Sequence, residues 1–216
     1  VRLSPKWFWE SEVQERHYIN PVAQHQLVFR SHLHRELPAG WEVSGGMCLF
    51  LQSPHNPRAA VKLMVPELRP HVELAYRQRL KRINIDQRYR MEARFFHQTN
   101  AARTELEDGY AFNNFRFRWR IQGAVPLWKI DNKRSLRVRV SNELHVNLGR
   151  KIQINVFDQN RIYGGFSVDF LPNLSFDVGY MNWFQQKPDG NFLTETYFGL
   201  PPFTGFRLAF GLGRGQ

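Results

Sequence analysis

Apolar and polar residues alternate one for one along most of this chain, which is the two-residue period of a β-strand. In Phe115-Arg116-Phe117-Arg118-Trp119-Arg120-Ile121-Gln122 one face is wholly apolar and the other wholly polar. Leu136, Val138 and Val140 alternate in the same way with Arg137 and Arg139. Ile162, Gly164, Phe166, Val168 and Phe170 interleave with Arg161, Tyr163, Gly165, Ser167 and Asp169, and Val178 and Tyr180 with Asp177 and Gly179. Nearer the start, Leu27, Phe29 and Leu33 oppose Arg30, His32 and His34, while Tyr89, Met91 and Phe95 oppose Arg88, Arg90, Glu92 and Arg94. The pattern predicts ten strands, over 7–18, 25–36, 41–53, 67–80, 83–97, 111–124, 135–147, 160–170, 173–185 and 192–200. Only 101–107 has a helical composition, and it is long enough for one loop turn.

The connections sort by length. Starting from the second, every other one tends to be short, as in 37–40, 81–82 and 171–172, with 125–134 the exception. The alternate set is longer and more polar. Outer-membrane barrels sort their loops this way, with short periplasmic turns and longer outer loops. The fold expected is therefore all-β: a single domain, 1–216, forming a transmembrane up-and-down antiparallel β-barrel of about ten strands. An even count places both termini on the short-turn, periplasmic side. Pro201-Pro202 interrupts the last strand because proline cannot donate to a ladder, so 201–216 is either its kinked end, a short tail or part of a twelve-strand count.

Alternation does not say which face is inside. Strand length favours lipid on the apolar face: about 13 residues at about 3.3 Å each, tilted by about 40°, climb roughly 33 Å and clear an apolar band of about 25 Å. Trp7, Trp9, Trp41, Phe170 and Tyr180 are expected near strand ends on that face, where aromatic rings favour the membrane–water interface. No run of about 18 apolar residues is present, so no transmembrane helix is predicted.

Composition changes this picture in two ways. The formal net charge of +11 calls for a partner of opposite sign or for internal pairing. One cysteine, Cys48, excludes an intramolecular disulfide and CxxC metal sites. The chain starts at Val1 without a signal-like apolar segment, a start compatible with a leader already removed.

Three stretches carry a resemblance. They are Pro66-Glu67-Leu68-Arg69-Pro70 leading to Arg88-Tyr89-Arg90-Met91-Glu92-Ala93-Arg94-Phe95; Ser141-Asn142-Glu143-Leu144; and Phe157-Asp158-Gln159-Asn160-Arg161-Ile162-Tyr163-Gly164-Gly165-Phe166, followed by Pro172-Asn173 and Val178-Gly179-Tyr180. Together they resemble a family of outer-membrane β-barrels known as the domain of unknown function number twenty-four ninety, of Bacteroidetes type. The resemblance implies a barrel and a Gram-negative outer-membrane location. It carries over no catalytic or binding residue.

Chemistry is sought on the inward polar face. The expected lumen network comprises Glu10, Glu12, Arg16, Arg30, His32, His34, Glu73, Arg77, Arg88, Arg90, Glu92, Arg94, Arg116, Arg118, Arg120, Arg137, Arg139, Glu143, Arg161, Asp169 and Asp177. A small barrel must fill its interior with side chains, and buried charges must pair or stay wet. Arginine suits such pairing through its planar fork. His71 with Glu73 and Glu143 with His145 share strand faces, but such pairs occur by chance, and neither a nucleophile nor a metal set stands out. No catalytic residue, metal or cofactor is assigned. The function expected is a structural or partner-binding subunit of an envelope assembly. The alternatives are a narrow anion-selective pore or anion- or lipopolysaccharide-binding barrel, an outer-membrane lipid hydrolase, and a soluble basic β-protein binding nucleic acid. The partners expected are outer-membrane lipid, lipopolysaccharide and other outer-membrane or periplasmic proteins, with no nucleic acid.

Overall fold

A computed structural model describes residues 1–54, 56–129, 135–150, 152–171, 174–187, 189–199 and 208–214, with backbone alone at 19–20, 129, 169–171, 174–176, 197–199 and 208–214. Ten strands follow one another: β1 (Trp7–Asn20), β2 (Val22–Glu36), β3 (Trp41–Gln52), β4 (Val65–Arg79), β5 (Asn84–Thr99), β6 (Leu106–Lys129), β7 (Ser135–Leu148), β8 (Phe157–Leu171), β9 (Leu174–Gln186) and β10 (Phe192–Gly199). Each pairs antiparallel with the next, so the chain is an up-and-down meander in one curled sheet. A short eleventh strand, β11 (Leu208–Arg214), lies antiparallel to β10 and parallel to β1 and closes the ring. Adding an odd strand makes the closing pair parallel, so β11 points away from the rim where β1 starts. The expectation that both ends share one rim does not hold for this strand. The proposed Pro201-Pro202 kink lies outside the described residues.

Several boundaries differ from the periodicity; β6, for example, begins at Leu106, five residues before the predicted 111. The first loop shrinks to a tight hairpin at Asn20-Pro21, with Ile19 directly opposite Val22; Asn-Pro is itself a turn signal. β6 has 24 residues and runs through 125–129, which reads as loop because Pro126 interrupts the pattern. The ladder accommodates the proline at an irregularity between Pro126 and Trp128. Likewise, β4 pairs with β5 on either side of Arg69-Pro70 but not at those two residues. The helical candidate 101–107 forms no helix: 101–105 is a turn, and 106–107 begin β6. The tight β2–β3 connection, a 3₁₀ turn at Pro38–Gly40, needs glycine at Gly40: φ is +84°, and an added Cβ would run into the Arg77 carbonyl.

Exposure inverts the order of a water-soluble protein. Among the described residues the cluster of buried apolar side chains consists of Val28, Cys48 and Phe50. Fully buried side chains include Glu92, His145, Asn114 and Asp177, whereas Phe29, Val72, Met91, Phe115, Trp119, Ile121, Val140, Ile162, Phe166 and Val178 are exposed. The period-two pattern therefore points its charges inward and its apolar rows outward. The Tyr163 ring folds over two glycines: Gly165 faces Gly179 across β8 and β9, and a Cβ on either would meet it. Gly179→Val is expected to cost about 1–3 kcal/mol through overpacking. Adding Tyr163→Ala should recover most of that loss, as read from unfolding midpoints. An unshifted midpoint in the single variant would contradict this packing.

Candidate functional site: the charged interior

Glu92 on β5 lies at the centre of the interior, 2% exposed. Arg116 donates to it through Nε at 3.1 Å and Nη2 at 2.8 Å, and Arg118 through Nη1 at 2.6 Å. The register explains this contact, since Glu92 is directly opposite Arg116 and Arg90 opposite Arg118. Glu143 on β7 accepts from Arg118 at 2.8 Å and from Arg88, a contact that reaches across the intervening β6. Glu73 accepts from Arg90 at 2.7 Å and lies 3.5 Å from Arg88. Arg116 also donates to Asp158 on β8 at 3.0 Å, again spanning a strand. Further round, Arg139 donates to Asp177 at 2.9 Å and Arg30 to Glu12 at 2.7 Å. Contacts that skip a strand are favoured where the sheet curls and its inward side chains converge.

Other residues named from the sequence make further inward contacts. Arg16 is buried and bonded to Gln14 and Gln26. Arg94 pairs with Glu67 at 2.6 Å, and Arg161 lies 4.0 Å over the Trp183 ring while donating to Gln159. Arg120 and Arg137 are on the inner face, with Arg120 directly opposite Arg88 and Glu143. Arg77 departs from the expectation: at the rim and 52% exposed, it bridges Glu42 at 3.1 Å and Asp86 at 4.0 Å. Glu10 and His32 face each other between β1 and β2, with His34 two residues on. The side chain of Asp169 lies outside the described residues.

Arginine outnumbers carboxylate on β5 to β7. The balance comes from neighbouring strands, through Glu67 and Glu73 on β4 and Asp158 on β8. Among the described residues, the interior also holds Glu42, Glu67, Arg69, Asp158 and Glu195, which the alternation did not single out. Glu67 is held by Arg69 at 2.5 Å, and Arg69 also stacks 3.5 Å from the Phe50 ring centre. The signal was available, since Glu67, Arg69, His71 and Glu73 keep strict alternation, but Pro66 and Pro70 obscured it.

The expected rim aromatics divide by position. Trp7, Trp9 and Trp41 are exposed near the rim where β1 starts, with Trp41 against Tyr76 at 4.7 Å between ring centres. Tyr180 is exposed but sits mid-strand on β9, opposite Gly164 and Phe198. The side chain of Phe170 lies outside the described residues. An aromatic group at the opposite rim was not foreseen: Phe95, Phe112 and Phe115 pack in series, as do Phe157, Phe184 and Phe192. These residues come from strand ends separated by long loops, so only the fold gathers them.

An all-β meander with charges inside and apolar rows outside defines an inside-out curled sheet whose interior is polar. The chain belongs to the family described as "Protein of unknown function (DUF2490)", whose model matches residues 1–194. No curated protein and no solved structure matches the chain.

Proposed function

We propose that this chain is an integral β-barrel of a Gram-negative outer membrane, plugged by its own ion pairs, and serves as a structural or partner-binding subunit of an envelope assembly. One observation carries the reading: the interior is ionic, with Glu92 and Arg116 almost fully buried, while Trp119, Ile121, Phe166 and Val178 are exposed. In water such a surface would leave large apolar rows unburied and forgo most hydrophobic stabilisation. In lipid the same rows are matched to their solvent. Strand length supports this. β1 has 14 residues and β5 has 16, and at about 3.3 Å per residue and a tilt of about 40° each climbs at least about 35 Å, against an apolar band of about 25 Å. The exposed Trp7, Trp9, Trp41 and Trp128 at one rim and the phenylalanines at the other support two interfacial belts.

The rim carrying the 37–40 and 80–83 turns is the periplasmic one in this reading. It is rich in cations, with Arg35, Arg77, Arg79, Lys81 and Arg82 exposed there. That charge favours anionic headgroups or an acidic partner; the longer loops at the other rim face lipopolysaccharide. Refolding into detergent micelles tests the proposal. The expected result is a compact species on unboiled gels that shifts on boiling. A monodisperse, fully folded protein in detergent-free buffer would overturn it.

A narrow anion path is the second reading. Arg88 lies directly opposite Arg120, an arrangement of like charges that a passing anion would relieve. Planar bilayers separate the two readings. A plugged barrel shows no stepwise conductance, and a path of this kind shows conductance that phosphate blocks.

A further inference from the structure

A second cluster of titratable side chains lies near the rim where β1 starts. Glu10 of β1 is directly opposite His32 of β2, and Phe8 is opposite His34, so the hairpin register brings one carboxylate and two imidazoles to a single inward patch. One donor atom from each of Glu10, His32 and His34 lies within 4.8 Å of the others. Both histidines are 6% exposed, and Nε2 of each is buried without a hydrogen-bond partner. A buried nitrogen lone pair without a donor is costly unless something else occupies it.

The His34 ring is fixed on two sides. Phe8 stacks on it at 4.4 Å with an interplanar angle of 7°, and Nδ1 lies 2.8 Å from Glu42 Oε1. Arg77 holds the other oxygen of Glu42, Oε2, at 3.1 Å, so Oε1 is the acceptor that faces His34. A proton on Nδ1 pointing at that acceptor leaves Nε2 as a lone pair facing the cluster. Carboxylate–histidine pairs of this kind orient metal-bound imidazoles. Against His32, the His71 ring stands edge-on at 4.7 Å and limits its rotation.

We propose that Glu10, His32 and His34 form a binding site for a divalent first-row transition ion, with zinc the best match to two imidazoles and one carboxylate. Zinc bonds of about 2.0–2.1 Å place tetrahedral donor atoms about 3.4 Å apart, so the three atoms, now within 4.8 Å, close in by at most about 1.4 Å. Rotation of half-buried Glu10 supplies most of that movement. Three protein ligands leave a fourth position for water or a further group, and Glu42 acts as the positioning residue for His34. Calcium and magnesium, which take oxygen ligands, are disfavoured by the two nitrogens.

The test uses the full chain folded in detergent micelles, with folding verified by the gel shift on boiling. That check keeps failure of the barrel reading distinct from failure of the site. Zinc alone is titrated, and cobalt(II) is added separately as a visible-absorption probe. The expected result is one zinc per chain and a cobalt spectrum of four-coordinate intensity. His32→Gln should abolish saturable binding, Glu10→Gln should weaken it at least tenfold, and Glu42→Gln should weaken it by about 10–100-fold. His97→Gln, at the opposite end of the barrel, should leave it unchanged. X-ray absorption on the unaltered zinc-loaded protein needs no variant to fold, and scattering from two imidazoles is expected there. Folded protein that takes up no stoichiometric zinc, or a zinc site without imidazole scattering, overturns the assignment.

Discussion

Glu92→Leu is expected to destabilise the folded protein by about 3–5 kcal/mol, the usual cost of breaking a buried ion pair from one side. Glu92 accepts hydrogen bonds from Arg116 and Arg118 and lies 3.7 Å from Arg90. Arg116 is 3% exposed, so removing the carboxylate leaves Arg116 with Asp158 and Arg118 with Glu143 as their remaining ion pairs, in a place where water is a poor substitute for the lost charge. The loss should be largely specific to the charge. Glu92→Gln keeps the shape and some hydrogen bonding yet should still lose much of that stability, whereas replacing Arg116, Arg118 and Glu92 together by apolar residues should cost less than Glu92→Leu alone. Equilibrium unfolding in micelles measures all three. A loss below about 1 kcal/mol for Glu92→Leu would mean that the interior is hydrated enough to screen these charges, and the plugged-lumen reading would fail.

The second large effect concerns the outer face. Phe117 is on the apolar row of β6, at the middle of Leu106–Lys129, and is paired with Met91 and Val146. If that row meets hydrocarbon, Phe117→Arg should cost about 2–4 kcal/mol in lipid vesicles, while Trp128→Arg near the rim should cost only about 0–1 kcal/mol, because the penalty falls with distance from the bilayer midplane. The contrast between depths is the diagnostic. Equal costs at the two positions, or none at Phe117, would remove the membrane from the explanation of the exposed apolar rows.

Much of the architecture was legible because a strand's side-chain period is two and a single apolar face is a strong pattern. The long runs at 115–122 and 136–140 fixed the faces of β6 and β7 without reference to any partner strand. Prolines blurred the rest. Pro126 hid the last residues of β6, and Pro66 and Pro70 hid the inward placement of Glu67 and Arg69, because a proline reads as a break unless the ladder is seen to step around it. Tyr180 was expected at a strand end and sits mid-strand, since an aromatic on the correct face carries no information about height along the barrel.

By itself the sequence determined the strand succession, which residues share a face, and the family to which residues 1–194 belong. Those properties are local: backbone geometry and residue spacing set them. The tertiary structure chose between the two facings that alternation allows, and it alone brought Glu67, Glu73 and Asp158 to the arginines of β5 and β6 and Glu10 to His32 and His34. Either inward or outward facing satisfies the same alternation, and cross-strand register and curvature, which bring distant parts of the chain within bonding distance, cannot be read from spacing along one strand.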